Sequence, residues 1–252
     1  MKTNPDQTNP KFRRIVVFGD SHAVHCFDRF TDATIFHQGP TTMHRVGRDG
    51  ANFVSQSVHQ RNRKDLFVFV FGEIDVRCHI GRISDSRGAS RSQIAADLVA
   101  RFAEKIHEAM IGYNGDVVLC SVIPASDFIS DPKYPTYGDV KDRIDITKSL
   151  NKSLKRKAAE YDFIFLDFAS HYANRTGALC VSKSDGAVHI GLNHTLRIRN
   201  ELSRVLDEPV RYRWDFWWRS WLTWPIELLM SWLYPPGLKL FNRRRANISK
   251  AI

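Results

Sequence analysis

Residues 13–22 read RRIVVFGDSH, and this stretch decides how the rest of the chain is interpreted. Apolar, largely β-branched residues run up to Phe18 and stop at Gly19, which is typical of a short buried strand. Ser21 follows almost at once and is predicted to open a helix, where its hydroxyl would lie among free backbone N–H groups. The alternative is that Asp20-Ser21 only caps that helix.

Four more apolar runs resemble this first strand, which we place at 13–19. They lie at 33–37, 65–71, 116–122 and 163–168. Stretches with helical spacing of apolar residues lie between or after them, at 51–61, 90–113, 139–161 and 194–206. Short strands that alternate with longer helices predict an α/β domain with a parallel sheet and crossover helices.

Ligands of such sheets bind beyond the carboxyl ends of the strands. Three polar segments are predicted to lie near that edge, at 19–22, 72–75 and 185–189. A serine nucleophile needs a base that is oriented by a carboxylate. Ser21, Asp185 and His189 supply the three groups in the order Ser, Asp, His, and His194 is an alternative base.

These blocks resemble those of the SGNH/GDSL hydrolase superfamily. The resemblance rests on Gly19-Asp20-Ser21-His22, on Gly72-Glu73-Ile74-Asp75 and on Asp185-Gly186-Ala187-Val188-His189, and it covers about 12–206. It implies a flavodoxin-like three-layer α/β/α sandwich with a five-stranded parallel sheet. It also implies ester hydrolysis with Ser21 as nucleophile, His189 as base and Asp185 as orienting acid.

The chain departs from the superfamily pattern in its oxyanion block. Ile74 stands where the family has an asparagine that donates to the oxyanion, and three residues instead of two separate Asp185 from His189. The glycine of the second block is one of Gly39, Gly47 and Gly50, of which we favour Gly47.

Other residues could supply the missing donor or bind substrate. Arg77 is the first candidate, because a guanidinium can hold an oxyanion or an anionic substrate group. The alternative is that Arg77 forms a structural ion pair with Glu73 or Asp75, which we also assign to the oxyanion and substrate region. Asn52 is a second candidate donor.

Neither a metal nor an organic cofactor is expected. The glycines do not form a dinucleotide-binding GxGxxG loop, and the histidines and cysteines lack the spacing of a zinc site. The four cysteines contain no CxxC pair, and the polar segment 1–10 lacks the apolar core of a secretory signal. These features indicate a reducing, cytoplasmic location.

The composition changes after about residue 206, so we divide the chain into a domain at 12–206 and an extension at 207–252. All six tryptophans lie at 214–232, and residues 197–252 hold eleven Lys and Arg against five Asp and Glu, part of a net charge of +10. Tryptophan beside arginine is typical of a membrane interface, and the cluster Arg243-Arg244-Arg245 suits anionic lipid. We predict a basic, aromatic helical extension that binds the inner membrane face peripherally. Packing on the domain or in a homodimer is the alternative, and the pattern disfavours nucleic acid.

The sequence therefore predicts a serine esterase that acts on a small-molecule or glycan ester, such as a carbohydrate O-acetyl group, or on a lipid ester. The Ile74 departure motivates an alternative, which is a catalytically weak binding module of the same fold. A third reading is an acyltransferase that uses the same three residues.

Overall fold

The computed structural model describes residues 13–127 and 135–213. Five strands and seven α-helices alternate along this part of the chain. In chain order they are β1 (Ile15–Gly19), α1 (Ser21–Phe27), β2 (Ala33–His37), α2 (Met43–Asp49), α3 (Phe53–Ser57), β3 (Asp65–Val70), α4 (Gly81–Arg87), α5 (Arg91–Met110), β4 (Gly115–Cys120), α6 (Val140–Glu160), β5 (Ile164–Leu166) and α7 (Leu196–Leu206).

All strands are parallel, and their order across the sheet is β2-β1-β3-β4-β5. Strand β1 lies between β2 and β3, with Ile15 opposite both Ala33 and Leu66. The carboxyl ends of these strands therefore meet at one edge, and Ser21 lies at that edge because it directly follows β1.

Alternate residues of the strands pack into two apolar cores, one on each face of the sheet. Val16 and Phe18 of β1 face a core that α2, α3, α5 and α6 cover. Ile15 and Val17 face the opposite core, which α1 and α7 cover. The central strands are apolar on both faces because helices bury both of them. The result is a three-layer α/β/α sandwich.

This architecture confirms the fold class expected from the sequence. The five predicted strands are present with ends that differ by no more than a few residues, and β2 has the predicted bounds. The predicted helix at 51–61 is shorter, since α3 ends at Ser57. Helix α2 and the helical stretch from Asp75 to Arg87 were not predicted.

The last described residues after α7, up to residue 213, still pack against the domain. Tyr212 forms a backbone bridge with Phe30 and a side-chain hydrogen bond with Thr195, and Arg211 pairs with Asp32. The predicted features of the extension, which are its tryptophans and the cluster at 243–245, lie outside the described residues. None of the helices within 13–127 and 135–213 combines the length and the hydropathy of a membrane-spanning segment.

Candidate active site

The structure brings together the serine, histidine and aspartate that the sequence singled out. Ser21 Oγ lies 2.7 Å from His189 Nε2, and His189 Nδ1 lies 2.9 Å from Asp185 Oδ2. Ser21 is the first residue of α1, whose N-cap is Asp20. The hydroxyl is thus held at the carboxyl edge of the sheet, within hydrogen-bonding distance of an imidazole that is oriented by a carboxylate.

The surroundings favour a neutral imidazole and an ionised carboxylate. Burial lowers the pKa of His189 below its ordinary value, although the hydrogen bond with Asp185 acts in the opposite direction. Burial alone would raise the pKa of Asp185, but its hydrogen bond with His189 and the nearby histidine charges outweigh burial and lower that pKa to about 2. Near pH 7, Nδ1 of His189 therefore donates to Asp185, and Nε2 can accept the proton of Ser21.

A tight loop carries both the acid and the base. Asp185 N–H donates to the carbonyl oxygen of His189 at 3.0 Å, and Ser184 forms an antiparallel bridge with Ile190. Asp185 Oδ1 accepts the backbone N–H groups of Ala187 and His189. Gly186 has φ 86°, a conformation that favours glycine. Three residues separate Asp185 from His189, one more than in the superfamily pattern, and all three lie in this turn.

Arg77 forms an ion pair with Glu73, which is the structural alternative to its prediction as an oxyanion donor. Its Nε donates to Glu73 Oε1 at 2.7 Å, and its Nη1 donates to the carbonyl oxygen of Pro135 at 2.9 Å. Both Arg77 and Glu73 are buried. The four-residue spacing of the pair is the usual one for ion pairs along a helix, so the sequence did contain this signal.

Asp75 supports helix α2, which corrects its assignment to the oxyanion and substrate region. Its side chain is fully buried, and its carboxylate accepts the backbone N–H groups of Met43 at 2.8 Å and His44 at 3.3 Å. Thr42 Oγ1 accepts the N–H of Arg45. Three of the N–H groups that the first turn of a helix leaves unpaired are thus satisfied, two of them by a residue from another segment.

Replacing Asp75 should reveal this structural role. Asp75→Ala leaves the Met43 and His44 N–H groups without their acceptor, so we expect it to lower the free energy of unfolding by about 2–4 kcal/mol. Asp75→Asn keeps one acceptor oxygen and should cost less. Urea denaturation of the two variants, monitored by circular dichroism, measures the difference.

The pH dependence provides a control on the same residue. Burial raises the pKa of Asp75 to about 7, above its ordinary value of 3.8. The folded state therefore binds the proton more tightly, and this carboxyl contributes less stability as the pH rises from about 4 to about 7. Asparagine does not titrate, so the Asp75→Asn variant should not lose this stability. The difference in the free energy of unfolding between the wild type and this variant should therefore shrink as the pH rises over that range. Equal destabilisation by Ala and Asn at every pH would contradict the capping role.

Gly47 lies inside α2 and is a packing residue, which corrects its assignment as the oxyanion glycine. A β-carbon at Gly47 would lie 3.1 Å from Cβ of Arg101 and 3.3 Å from the nitrogen of Phe102, so glycine lets α2 approach α5 closely. Gly39 lies in the loop just beyond β2, with φ 61° and open space around the position of a β-carbon. Of the three glycines considered, Gly39 is the one in a loop that follows a strand at the edge where Ser21 lies.

The alternative base and the second candidate oxyanion donor from the sequence analysis, His194 and Asn52, make other contacts in the structure. His194 lies in a short 3₁₀ helix, and its carbonyl oxygen accepts the Tyr172 hydroxyl. The base that contacts Ser21 is His189 instead. Asn52 is exposed at the start of α3, where its carbonyl oxygen accepts from the Ser55 hydroxyl.

His25 and two members of the triad together have the composition of a metal site. Ligand atoms of His25, Asp185 and His189 lie within 4.8 Å of one another. The rings of His25 and His189 are stacked with planes 10° apart, however. Since an imidazole binds a metal in its own plane, two parallel stacked rings cannot direct their lone pairs at one ion. The arrangement therefore does not fit a metal.

Comparison with known proteins supports the fold that these elements define. No model of a known protein family matches the sequence, and no curated protein matches it significantly. Several solved structures do match. A candidate platelet activating factor from Streptococcus pneumonia has a TM-score of 0.55 at 13% identity, covering 79% of this chain and 86% of its own. A candidate acylhydrolase from Bacteroides fragilis has a TM-score of 0.52 at 18% identity, with coverage of 79% and 88%. The OSK domain of Drosophila Oskar has a TM-score of 0.50 at 11% identity, with coverage of 76% and 87%.

At these identities the likeness establishes the fold. The described chain is a three-layer α/β domain with a serine, a histidine and an aspartate at the carboxyl edge of its parallel sheet. It shares this fold with the candidate acylhydrolase from Bacteroides fragilis, and the fold is the one that the resemblance of the sequence blocks implied.

Proposed function

We propose that this protein is a serine-dependent ester hydrolase that acts through an acyl-enzyme. The observation that supports it best is the continuous chain of hydrogen bonds from Ser21 Oγ to His189 and from His189 to Asp185, with lengths of 2.7 and 2.9 Å. A capped helix alone does not need a histidine at the hydroxyl of its first residue. The arrangement is the one that activates a weak hydroxyl nucleophile.

The chemistry follows from the protonation of these three groups. His189 Nε2 takes the proton of Ser21 as Oγ attacks the ester carbonyl carbon, and Asp185 stabilises the imidazolium that forms. The imidazolium then gives this proton to the departing alcohol, which leaves an acyl group on Ser21. Water then attacks the acyl carbon while His189 Nε2 takes a proton from it. The bond between this carbon and Ser21 Oγ breaks, the imidazolium returns the proton to Oγ, and the carboxylic acid leaves.

The negative oxygen of the tetrahedral intermediate needs donors other than an asparagine side chain. We assign the backbone N–H of Ser21, at the first position of α1, as one donor. The backbone N–H of Gly39 is our candidate for the second, because the loop after β2 runs beside the end of β1. Gln38 N–H donates to the carbonyl oxygen of Gly19 at 2.8 Å, which fixes that loop.

The place where the described chain ends, at residue 213, helps to choose between an aqueous ester and a lipid ester as the substrate. Tyr212 and Arg211 contact Phe30 and Asp32, just before β2 begins, at the sheet edge opposite Ser21. The length of β1 puts these two edges about 15 Å apart. If 214–252 holds the protein on an anionic membrane, this geometry favours an active site that faces away from the bilayer. We therefore favour an ester in the aqueous phase, such as an O-acetylated glycan, over a lipid ester.

Peripheral membrane binding by the extension has its own test. Deleting 214–252 keeps the contacts of Arg211 and Tyr212 and should abolish co-sedimentation with anionic vesicles. High salt should weaken binding of the full chain only in part, because it screens Arg243, Arg244 and Arg245 but not inserted tryptophans. Replacing these three arginines with serine should remove mainly the salt-sensitive part.

Equal sedimentation of the full chain and the truncated chain would contradict membrane binding by the extension. Aggregation of the truncated chain would favour the alternative in which the tryptophans cover an apolar face of the domain or of a dimer.

A binding module of the same fold is the second candidate, and a specific observation motivates it. Ile74 is half-buried, and its side chain has no hydrogen-bond donor for an oxyanion. Loss of one such donor typically lowers kcat by about 10²–10³. Turnover of acetyl and butyryl chromogenic esters by the full chain separates the candidates. Turnover above the uncatalysed rate supports the hydrolase, and none with either ester supports the binding module. Product analysis with added sugar then separates hydrolysis from acyl transfer.

A further inference from the structure

Two histidines of α1 lie against the ring of His189. The ring centroids of His25 and His189 are 4.0 Å apart with the planes 10° apart, and those of His22 and His189 are 4.6 Å apart at 45°. His22 is only 4% exposed. His22 and His25 are three residues apart, which puts them on one face of α1.

The hydrogen bonds of His22 assign a proton to each of its ring nitrogens. Nε2 lies 3.1 Å from the carbonyl oxygen of Val188, which can only accept. Nδ1 lies 2.8 Å from Asp20 Oδ1, and the same oxygen accepts the backbone N–H of His22 at 2.8 Å. Because Oδ1 already accepts that N–H, a second N–H donor suits this oxygen better than a hydroxyl proton of its own, and we assign the proton between Oδ1 and Nδ1 to the imidazole. His22 is therefore an imidazolium paired with a buried carboxylate.

The electrostatic surroundings agree with this assignment. Burial alone would lower the pKa of His22, but the charge of Asp20 and its hydrogen bond outweigh burial and raise the pKa to about 9. His25 differs in charge, although its ring is even nearer that of His189. Its Nδ1 lies 3.2 Å from the carbonyl oxygen of Ile190, and burial together with the charge of His189 lowers its pKa to about 4. Near pH 7 the base thus has one charged and one neutral histidine neighbour.

We propose that His22, held as an imidazolium by Asp20, is a positioning residue that keeps His189 neutral, and hence able to act as a base, into mildly acidic solution. A second positive charge on His189 would be repelled by His22 at this distance. The role of His189 as a base rests on the proposed function. The effect of the His22 charge on the titration of His189 does not depend on that function.

Several other groups also face His189 and bear on its titration. They are Asp185 on its own loop, Ser21 and His25 on α1, and Glu73 after β3. The carboxylates of Asp185 and Glu73 favour the charged imidazole and remain when His22 is changed. Removal of the positive charge of His22 should therefore raise the pKa of His189.

The test uses the full chain and ¹⁵N NMR of histidines, which needs no substrate. In His22→Gln the amide can still donate to Asp20 or Val188 without a positive charge, and we expect the titration midpoint of His189 to move to higher pH. His25→Phe is the matched control, because it keeps a ring against His189 and removes no charge, so the midpoint should not rise. Asp20→Asn keeps a good N-cap for α1 and should leave His22 singly protonated at pH 7.

The wild type provides a test that does not depend on how the variants fold. At pH 7 its spectrum should show His22 with both ring nitrogens protonated and His189 with one. A singly protonated His22 overturns the inference, as does an unchanged His189 midpoint in a folded His22→Gln.

Enzyme kinetics separate this inference from the proposed function. In an active enzyme the acid limb of the kcat/KM profile should move in the same direction as the His189 midpoint. A protein without ester turnover that still shows the predicted shifts would contradict the proposed function alone.

Discussion

Replacing Ser21 with alanine should abolish ester hydrolysis and leave the fold intact. The Oγ that bonds to His189 Nε2 at 2.7 Å is the only atom lost, and no other group of the triad can form the acyl-enzyme. Removing the nucleophile of such a triad typically costs about 10⁴–10⁶ in kcat. The side chain is half-buried and loses one hydrogen bond, so we expect a change in the free energy of unfolding of about 1 kcal/mol or less.

The measurement is the turnover of an acetyl chromogenic ester, together with a thermal melt of the same sample. Ser86→Ala is the matched control, because Ser86 is exposed on α4 and its hydroxyl contacts only the carbonyl oxygen of Ile83 among the bonds that the structure describes. A folded Ser21→Ala protein with the activity of this control would refute the nucleophile assignment.

Asp185→Asn should lower turnover by about 10³–10⁴-fold with little change in substrate binding. The asparagine oxygen can still accept the backbone N–H groups of Ala187 and His189, so the loop should persist. Its amide would donate to Nδ1 of His189, however, and this forces the proton onto Nε2. That tautomer cannot accept the proton of Ser21.

The kcat and KM of the variant, compared with those of Asp162→Asn, measure this effect. Asp162 is exposed and has φ 57°, a conformation that asparagine adopts readily, which makes it a neutral site for the same substitution. A raised KM with unchanged kcat would mean that Asp185 holds substrate and does not orient the base.

The sequence predicted the strands well because each is a short apolar run, and helices bury both faces of the central strands β1 and β3. Helix α2 escaped prediction for a physical reason. It has only seven residues, contains Gly47, and depends at its N-terminus on Asp75, which lies 32 positions away from Met43. Contacts between distant segments decide such a helix, and local periodicity does not show them.

The contrast between local pattern and long-range contact also explains which residues of the candidate site were predicted correctly. Ser21, Asp185 and His189 were found because topology places strand-end residues at one edge and because the groups follow a known order. The residues around the oxyanion were assigned by proximity along the chain. Their partners come from the fold instead: Asp75 binds the start of α2, Arg77 also binds Pro135, and Gly47 faces α5. The charge of His22 could not be inferred either. Asp20 is its neighbour in sequence, but the acceptor for its second ring nitrogen is the carbonyl oxygen of Val188, 166 positions away, which only the fold brings near.

Labelling with a fluorophosphonate probe, followed by mapping of the modified residue, tests the central claim most directly. The activated Oγ should attack phosphorus and expel fluoride, which leaves the probe on one serine. We expect modification of Ser21 in the full chain, none in Ser21→Ala, and slower labelling as the pH falls and His189 becomes charged. Absence of label on the folded protein, or label on another serine with Ser21 unmodified, would contradict it.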